Sequence, residues 1–191
     1  PVWYALMGAA VWIVLGCSRL FTTSLLYLYV LGHELTHVLA VYCSRGSVSK
    51  FNASLDGGYI QTDKNNLFIS LSPYFLPLWG MLWGLVWGIV HIFWPTITCE
   101  ALLYSGLGFW WCFHLFWTAW IIPKDQPDLA GNGTFFSLIL VYFANLLLFL
   151  GLLRLFNAVS INRFLADCLH NAERLWDTAR DLALFTAGLF L

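Results

Sequence analysis

The chain is 191 residues long, and 60% of its residues are hydrophobic whereas only 10% are charged. A typical soluble domain carries roughly 25% charged residues, so the composition excludes an ordinary soluble protein and indicates an integral, multi-pass membrane protein. The formal net charge of −1 comes from few groups, which excludes the basic surface that a nucleic-acid-binding protein needs.

The hydropathy pattern predicts an all-α polytopic fold with about five transmembrane helices. A spanning helix needs about 20 mainly apolar residues, and the apolar stretches lie at residues 2–17, 20–43, 67–94, 97–122 and 134–159. Pro73 and Pro77 fall within the third stretch, where they remove backbone hydrogen bonds and bend or break the helix. Residues 1–159 therefore form the predicted transmembrane domain.

A small β-hairpin is predicted between the second and third spans. Two segments of β-type composition, 48–52 and 59–62, flank Asp56-Gly57-Gly58, whose Asp-Gly pair favours a tight reversal. The connections on this side of the membrane are basic, whereas the opposite side has Arg19 before the C-terminal tail begins. The basic residues on the hairpin side are Arg45, Lys50, Lys64 and Lys124. By the positive-inside rule, the hairpin side is predicted to be cytoplasmic.

After the fifth span, residues 160–191 predict an amphipathic C-terminal helix. Its apolar positions are Ile161, Phe164, Leu165, Cys168, Leu169, Ala172, Trp176 and Ala179, and its polar positions are Arg163, Asp167, Asn171, Arg174, Asp177 and Asp181. Such a helix lies on a membrane surface or against a partner, and we favour membrane anchoring. The five cysteines include no Cys-x-x-Cys pair, so we assign them no disulfide and no metal.

The second span contains the most informative motif of the chain, His33-Glu34-Leu35-Thr36-His37. On an α-helix, positions i and i+4 share a face, so both imidazoles can reach one Zn²⁺ while Glu34 stands beside them to transfer a proton. Ionisable groups at membrane depth are costly unless function retains them. The motif therefore predicts a zinc hydrolase site rather than the polar face of an ordinary helix.

A hydrolytic zinc site usually takes three protein ligands, so a third ligand must come from elsewhere. The candidates are Asp128, Asp56, His114 and His91. Asp128 is favoured because it enters the fifth span on the side where the second span ends, and His37 lies only about six residues, roughly 9 Å, from that end. A role in the turn is enough to account for Asp56. His114 could be a metal ligand, a proton relay or a hydrogen-bonded core histidine. His91 is expected to lie at the membrane interface.

These residues predict peptide-bond hydrolysis. Zinc lowers the pKa of water towards 7, and Glu34 takes the proton as the water attacks a carbonyl, then returns it to the leaving amine. A membrane-anchored protein substrate must unwind to expose its backbone. An edge of the hairpin is a candidate for holding such a segment by strand addition.

The motif and its surroundings resemble the site-2 protease family of zinc intramembrane metallopeptidases, in particular its compact bacterial members. The resemblance rests on residues 32–40, the Gly-Gly hairpin, the proline-containing span, 126–129, 133–137 and Asn145. It implies His33 and His37 as zinc ligands, Glu34 as catalytic base, a distal aspartate mapped to Asp128 as third ligand, and a bacterial inner membrane as location. The chain departs from the family's Asn-x-x-Pro-x-x-x-Leu-Asp-Gly pattern, since its Leu55-Asp56-Gly57 stands in the hairpin.

The function expected from the sequence is therefore a zinc-dependent intramembrane endopeptidase that acts on membrane-anchored proteins within the lipid bilayer. The alternative is a non-proteolytic structural or accessory subunit of a larger membrane complex. The 11 Trp and 16 Phe residues favour that alternative by providing a large aromatic surface for lipid or for other membrane subunits. Zinc content together with Glu34-dependent cleavage distinguishes the two.

Overall fold

The computed structural model describes residues 1–18, 22–97, 99–124, 126–157 and 160–188, with the side chains of 182–188 outside the description. The helices are α1 (Val2–Cys17), α2 (Thr22–Cys43), α3 (Leu67–Leu71), α4 (Leu78–Phe93), α5 (Glu100–Ile121), α6 (Pro127–Ala130), α7 (Thr134–Leu155) and α8 (Ile161–Gly188). The strands are β1 (Val48–Ser54) and β2 (Gly57–Thr62). The prediction of a mainly helical chain with one small hairpin is confirmed.

Two helices of the described residues, α2 and α7, are long and apolar enough to cross a membrane, and a bent pair raises this number to three if it counts as one span. Helix α1 is apolar but has 16 residues, fewer than the roughly 20 that a bilayer requires. Helix α5 has the necessary 22 residues, but its tryptophans and His114 reduce its mean hydropathy. The number of five spans thus stays a prediction, and residues 20–21, 98 and 158–159 of those spans lie outside the described residues.

The third predicted span is broken at its prolines, as expected. Helix α3 continues into a 3₁₀ turn at Ser72–Tyr74, and α4 begins only at Leu78. The two parts meet at 79°. Because proline has no N–H, Pro73 and Pro77 cannot donate to the carbonyls four residues earlier, so the backbone leaves the helical path between them.

The predicted hairpin is also confirmed, with β1 and β2 paired antiparallel. Ser54 pairs with Gly57, so the reversal occurs at Leu55 and Asp56, and Gly57 already belongs to β2. Gly57 has φ +130°, a value that glycine adopts without the steric cost of a side chain. The predicted Asp-Gly turn is therefore correct to within one residue.

Side-chain bonds close the base of the hairpin. The Asp63 carboxylate accepts the Ser47 N–H at 2.7 Å and the Ser47 hydroxyl at 2.9 Å. These bonds favour the charged form and hold the pKa of the Asp63 carboxyl below its usual value. The hairpin thus leaves α2 and returns to α3 from a fixed base.

Helix α1 packs closely against α5 through small residues. A Cβ on Gly8 would collide with the Ser105 carbonyl, and one on Gly108 would collide with the Ala5 carbonyl. Trp12 is 1% exposed and meets phenylalanine rings of α5 edge-on at centroid distances of 5.1 to 5.7 Å. This contact holds α5, whose C-terminal residues line a cavity beside α2.

The chain divides into two compact units, Pro1–Phe149 and Leu150–Leu191. The second contains α8, whose described side chains are all exposed. Leu169 and Trp176 on its apolar positions are 67% and 72% exposed. The predicted helix at the C-terminus is therefore present, while its role as a membrane anchor stays a prediction.

Candidate metal centre

Helix α2 presents its motif to the interior of the first unit. Glu34 and His37 are each 6% exposed, and the His33 side chain is 8% exposed. The two histidine rings lie one above the other, with centroids 5.0 Å apart, as i and i+4 spacing requires. Thr36 binds the Gly32 carbonyl at 2.7 Å, so its hydroxyl does not interrupt the helix.

Asp128 meets both histidines. Its Oδ2 lies 3.2 Å from His37 Nε2 and 3.7 Å from His33 Nε2. The possible ligand atoms of the three residues all lie within 4.8 Å of one another, and this is the one such group among the described residues. The structure therefore brings together the three residues that the sequence selected as metal ligands.

A one-turn helix, α6, positions Asp128. Pro127 occupies its first turn, where the missing N–H carries no cost and the fixed φ suits a helix. The next residue, Leu129, is 1% exposed, and its carbonyl accepts the Ser137 hydroxyl at 3.0 Å. With Leu129 anchored in the interior, the Asp128 carboxylate is held against α2.

Tyr74, from the 3₁₀ turn, supports the same carboxylate. Its hydroxyl lies 3.3 Å from Asp128 Oδ2 and 3.4 Å from Gln126 Oε1, and the residue is completely buried. The ring packs edge-on against His33 with centroids 5.1 Å apart. One side chain thus restrains two members of the ligand group.

The broken helix orients His37 through a carbonyl that proline leaves without its usual backbone donor. In a regular helix the Ile69 carbonyl would accept the N–H of residue 73, but that residue is Pro73. His37 Nδ1 lies 2.8 Å from this carbonyl oxygen, so Nδ1 must carry the hydrogen and donate it. Metal-ligating histidines commonly hold their second nitrogen in this way.

This tautomer makes the group suitable for a metal ion. With the hydrogen on Nδ1, a neutral His37 directs the lone pair of its Nε2 at the Asp128 Oδ2, which is only 3.2 Å away. Both atoms are then hydrogen-bond acceptors, so a cation between them would make this short distance favourable. Zinc bonds of about 2.1 Å arranged tetrahedrally separate two ligand atoms by roughly 3.4 Å. The observed separations of 3.2 and 3.7 Å bracket that value, so the three residues fit zinc.

The Asp128 carboxyl favours its ionised form. Burial acts to raise the pKa of this carboxyl, but a hydrogen or positive charge that the His33 and His37 rings direct at the carboxylate outweighs burial and holds the pKa well below its usual range. A cation bound between the rings and the carboxylate would act in the same direction. The carboxylate is therefore ionised and available to a cation at neutral pH.

The other candidates for the third ligand lie apart from this group. Asp56 is exposed in the hairpin turn, and His91 is exposed near the end of α4. His114 is 6% exposed and packs beside Asn145, but it does not belong to the ligand group. Of the four candidates, the structure places only Asp128 in one ligand group with the two motif histidines.

A cavity of about 620 Å³ opens over the ligand group. It is bordered by α2, by the hairpin from Leu55 to Ile60, and by Trp120, Lys124 and Gln126. Gly58 of β2 lies directly over Glu34, since a Cβ at this position would come within 2.7 Å of Glu34 Oε1. The motif carboxylate therefore stands between the cavity and the hairpin.

Sequence reasoning did not identify three features of this site: Tyr74, Gly58 and the Ile69 carbonyl. The acceptor at Ile69 could have been predicted from the sequence, because Pro73, four residues later, has no N–H to donate to the Ile69 carbonyl. The positions of Tyr74 and Gly58 depend on how the broken helix and the hairpin pack on α2, which no local pattern encodes.

No protein-family model, curated protein or solved structure matches the chain. The resemblance to the site-2 protease family therefore stays a prediction from the motifs.

Proposed function

We propose that this protein is a zinc-dependent intramembrane endopeptidase of the site-2 protease type that cleaves membrane-anchored proteins. The observation that carries the proposal is the convergence of His33, His37 and Asp128 within 4.8 Å, beneath a cavity that also exposes Glu34. Three nitrogen and oxygen ligands with one position left open are typical of hydrolytic zinc sites.

In this proposal His33, His37 and Asp128 would hold the zinc ion, which would supply the Lewis acidity that polarises a carbonyl and acidifies water. Glu34 accepts a proton from the attacking water as its oxygen bonds to the peptide carbon. Glu34 then delivers that proton to the nitrogen as the C–N bond breaks. The product ends are a carboxylate and an amine, so the reaction consumes one water.

The cavity gives the substrate a defined place. Strand β2 and the turn border it, whereas no residue of β1 among the described ones does. Gly57 and Gly58 carry no side chains here, so an extended segment can approach the backbone of β2 and add as a strand. Leu26, Val30 and Trp120 provide apolar surface for the side chains of a segment drawn from the bilayer.

We also propose the five-span topology with the hairpin side in the cytoplasm. Two apolar helices and the bent pair support three spans, and α1 and α5 pack as an adjoining pair. The exposed residues of α4 are mainly large and apolar, including Leu85, Val86 and Ile89. Exposed apolar side chains of this kind suit a lipid surrounding.

The test compares wild type with Glu34→Gln after expression of each in cells, followed by mapping of new protein N-termini in the membrane fraction. We expect termini within transmembrane segments that require Glu34, and equal zinc content in both purified proteins because Glu34 is not a ligand. Glu100→Gln, at the exposed start of α5, is the matched control and should cleave normally. Identical termini with wild type and Glu34→Gln would instead indicate the non-proteolytic subunit.

A further inference from the structure

A second, much smaller cavity lies on the other side of His33. Its volume is about 20 Å³, and its lining includes His33, His114, Tyr29, Thr36 and Pro73. A cavity needs roughly 10–15 Å³ of such volume and two to four polar partners to hold one water molecule. The cavity therefore has the size and the lining for a single ordered water.

Two residues that line this cavity each have a buried nitrogen with no protein partner among the described residues. The two nitrogens are His33 Nδ1 and His114 Nε2. The two side chains are 8% and 6% exposed, so bulk solvent does not satisfy them. Because a buried polar atom without a hydrogen bond costs free energy, a partner shared by the two nitrogens would stabilise the structure.

The two histidines of the motif differ in the hydrogen-bond partner of their Nδ1 atoms. His37 donates from Nδ1 to the Ile69 carbonyl, which fixes its ring, whereas His33 Nδ1 has no hydrogen-bond partner in the part of the chain that the structure describes. Without such a partner, no hydrogen bond selects the tautomer of a ligand histidine. A water that accepts the Nδ1 hydrogen of His33 would give both histidines the same tautomer.

His114 is held where it can retain such a water. Its ring lies beside the Asn145 side chain and the Tyr74 carbonyl. Asn145 is itself fixed, since its Nδ2 donates to the Tyr74 and Val141 carbonyls at 2.9 Å each. The His114 ring thus packs beside a fixed side chain, and its Nε2 has no partner among the described residues.

We propose that one buried water links His33 Nδ1 to His114 Nε2, which makes His114 a positioning residue of the metal centre. The water accepts the His33 Nδ1 hydrogen and donates one of its own hydrogens to His114 Nε2. His33 Nε2 is then left with a lone pair towards Asp128. The inference rests on the proposed zinc site and assigns to His114 an indirect role in it, not that of a ligand.

The test measures zinc affinity of the purified full chain by competition with a chelator. Loss of a partner behind a ligand histidine typically weakens metal binding 10–100-fold, and we expect that loss in His114→Leu, which removes both nitrogens. His114→Gln restores a hydrogen-bonding group and should recover most of the affinity. His91→Leu, which removes an exposed histidine outside the site, should bind zinc like wild type.

A second readout separates positioning from packing. Co²⁺ replaces zinc in such sites, and its visible absorption should change in His114→Leu and return towards the wild-type spectrum in His114→Gln. If the leucine variant does not fold, His114→Phe retains an aromatic ring without nitrogen and serves in its place. Wild-type affinity in the leucine or phenylalanine variant, or equal weakening in the glutamine variant, would overturn the role of His114.

The same measurements distinguish this inference from the proposed function. Zinc binding by wild type and by Glu34→Gln, with no effect of His114→Leu, would refute the bridging water and leave the endopeptidase intact. Failure of wild type to bind zinc would overturn both proposals.

Discussion

The contact between Gly58 and Glu34 gives a sharp prediction for Gly58→Ala. The new Cβ would meet Glu34 Cγ most closely and would lie 2.7 Å from Glu34 Oε1 and Cδ, whereas ordinary contacts begin at 3.4 Å. To relieve the contact with Cγ, Glu34 must therefore move by about 1 Å, or the hairpin must rise by a similar distance. Since the obstructing atoms belong to one flexible side chain, the cost in stability should be modest, about 0.5–1.5 kcal/mol for a strained rotamer.

The effect on catalysis should be larger than the effect on stability. A misplacement of about 1 Å in a reacting group can reduce the rate roughly 100-fold, so we expect a 10- to 100-fold loss of cleavage. That loss corresponds to about 1.4–2.7 kcal/mol of transition-state stabilisation. Zinc content should remain normal, because the substitution touches the proton-transfer residue and none of the three ligands.

The assay follows the accumulation of Glu34-dependent cleavage products over time, alongside zinc analysis and thermal unfolding of each variant. Gly88→Ala on α4 is the control for a glycine with open space around it. Gly57→Ala places strain in the same hairpin through the φ of +130° without approaching Glu34. Wild-type cleavage by Gly58→Ala, or equal loss in Gly57→Ala, would refute the assignment of Glu34 as the residue affected.

Two further predictions concern carboxylates outside the spans. Asp128→Ala should remove most of the bound zinc, whereas Asp56→Ala, in the exposed turn, should not. If metal analysis shows normal zinc stoichiometry in Asp128→Ala, Asp128 is not the third ligand. Asp63 has a pKa below its ordinary 3.8, so its contribution to the hairpin is present above that pH and is lost as the pH falls through the lowered value. Hydrogen exchange should show the Ser47 amide protected at pH 5 and progressively exposed in stronger acid, and Asp63→Ala should expose it at every pH.

The sequence by itself determined the local features of this protein. The four-residue spacing of His33 and His37 puts both rings on one face of any helix, so the core of the motif needed no tertiary information. The turn near Asp56 and the break at Pro73 and Pro77 follow equally from backbone constraints on single residues. Each of these features depends on neighbours within a few positions of the chain.

The spans illustrate where local reasoning becomes insufficient. Composition indicates a membrane protein, but hydropathy alone does not distinguish a spanning helix from a buried one when tryptophan and histidine are frequent, as in α5. The close contact of α1 with α5 depends on Gly8 and Gly108, two residues from separate helices. Their meeting is a property of packing and not of either segment.

The tertiary structure decided how the metal centre is completed. Asp128 lies 91 positions from His37, and its sequence neighbourhood is compatible equally with a loop carboxylate and with a ligand. Its place beside the histidines depends on the burial of Leu129 and on the approach of Tyr74 from the broken helix. The proline that removes the backbone donor of the Ile69 carbonyl is visible in the sequence. The packing of α3 against α2 determines that the His37 ring donates to this carbonyl instead, because a hydrogen bond forms only where folding brings donor and acceptor within reach.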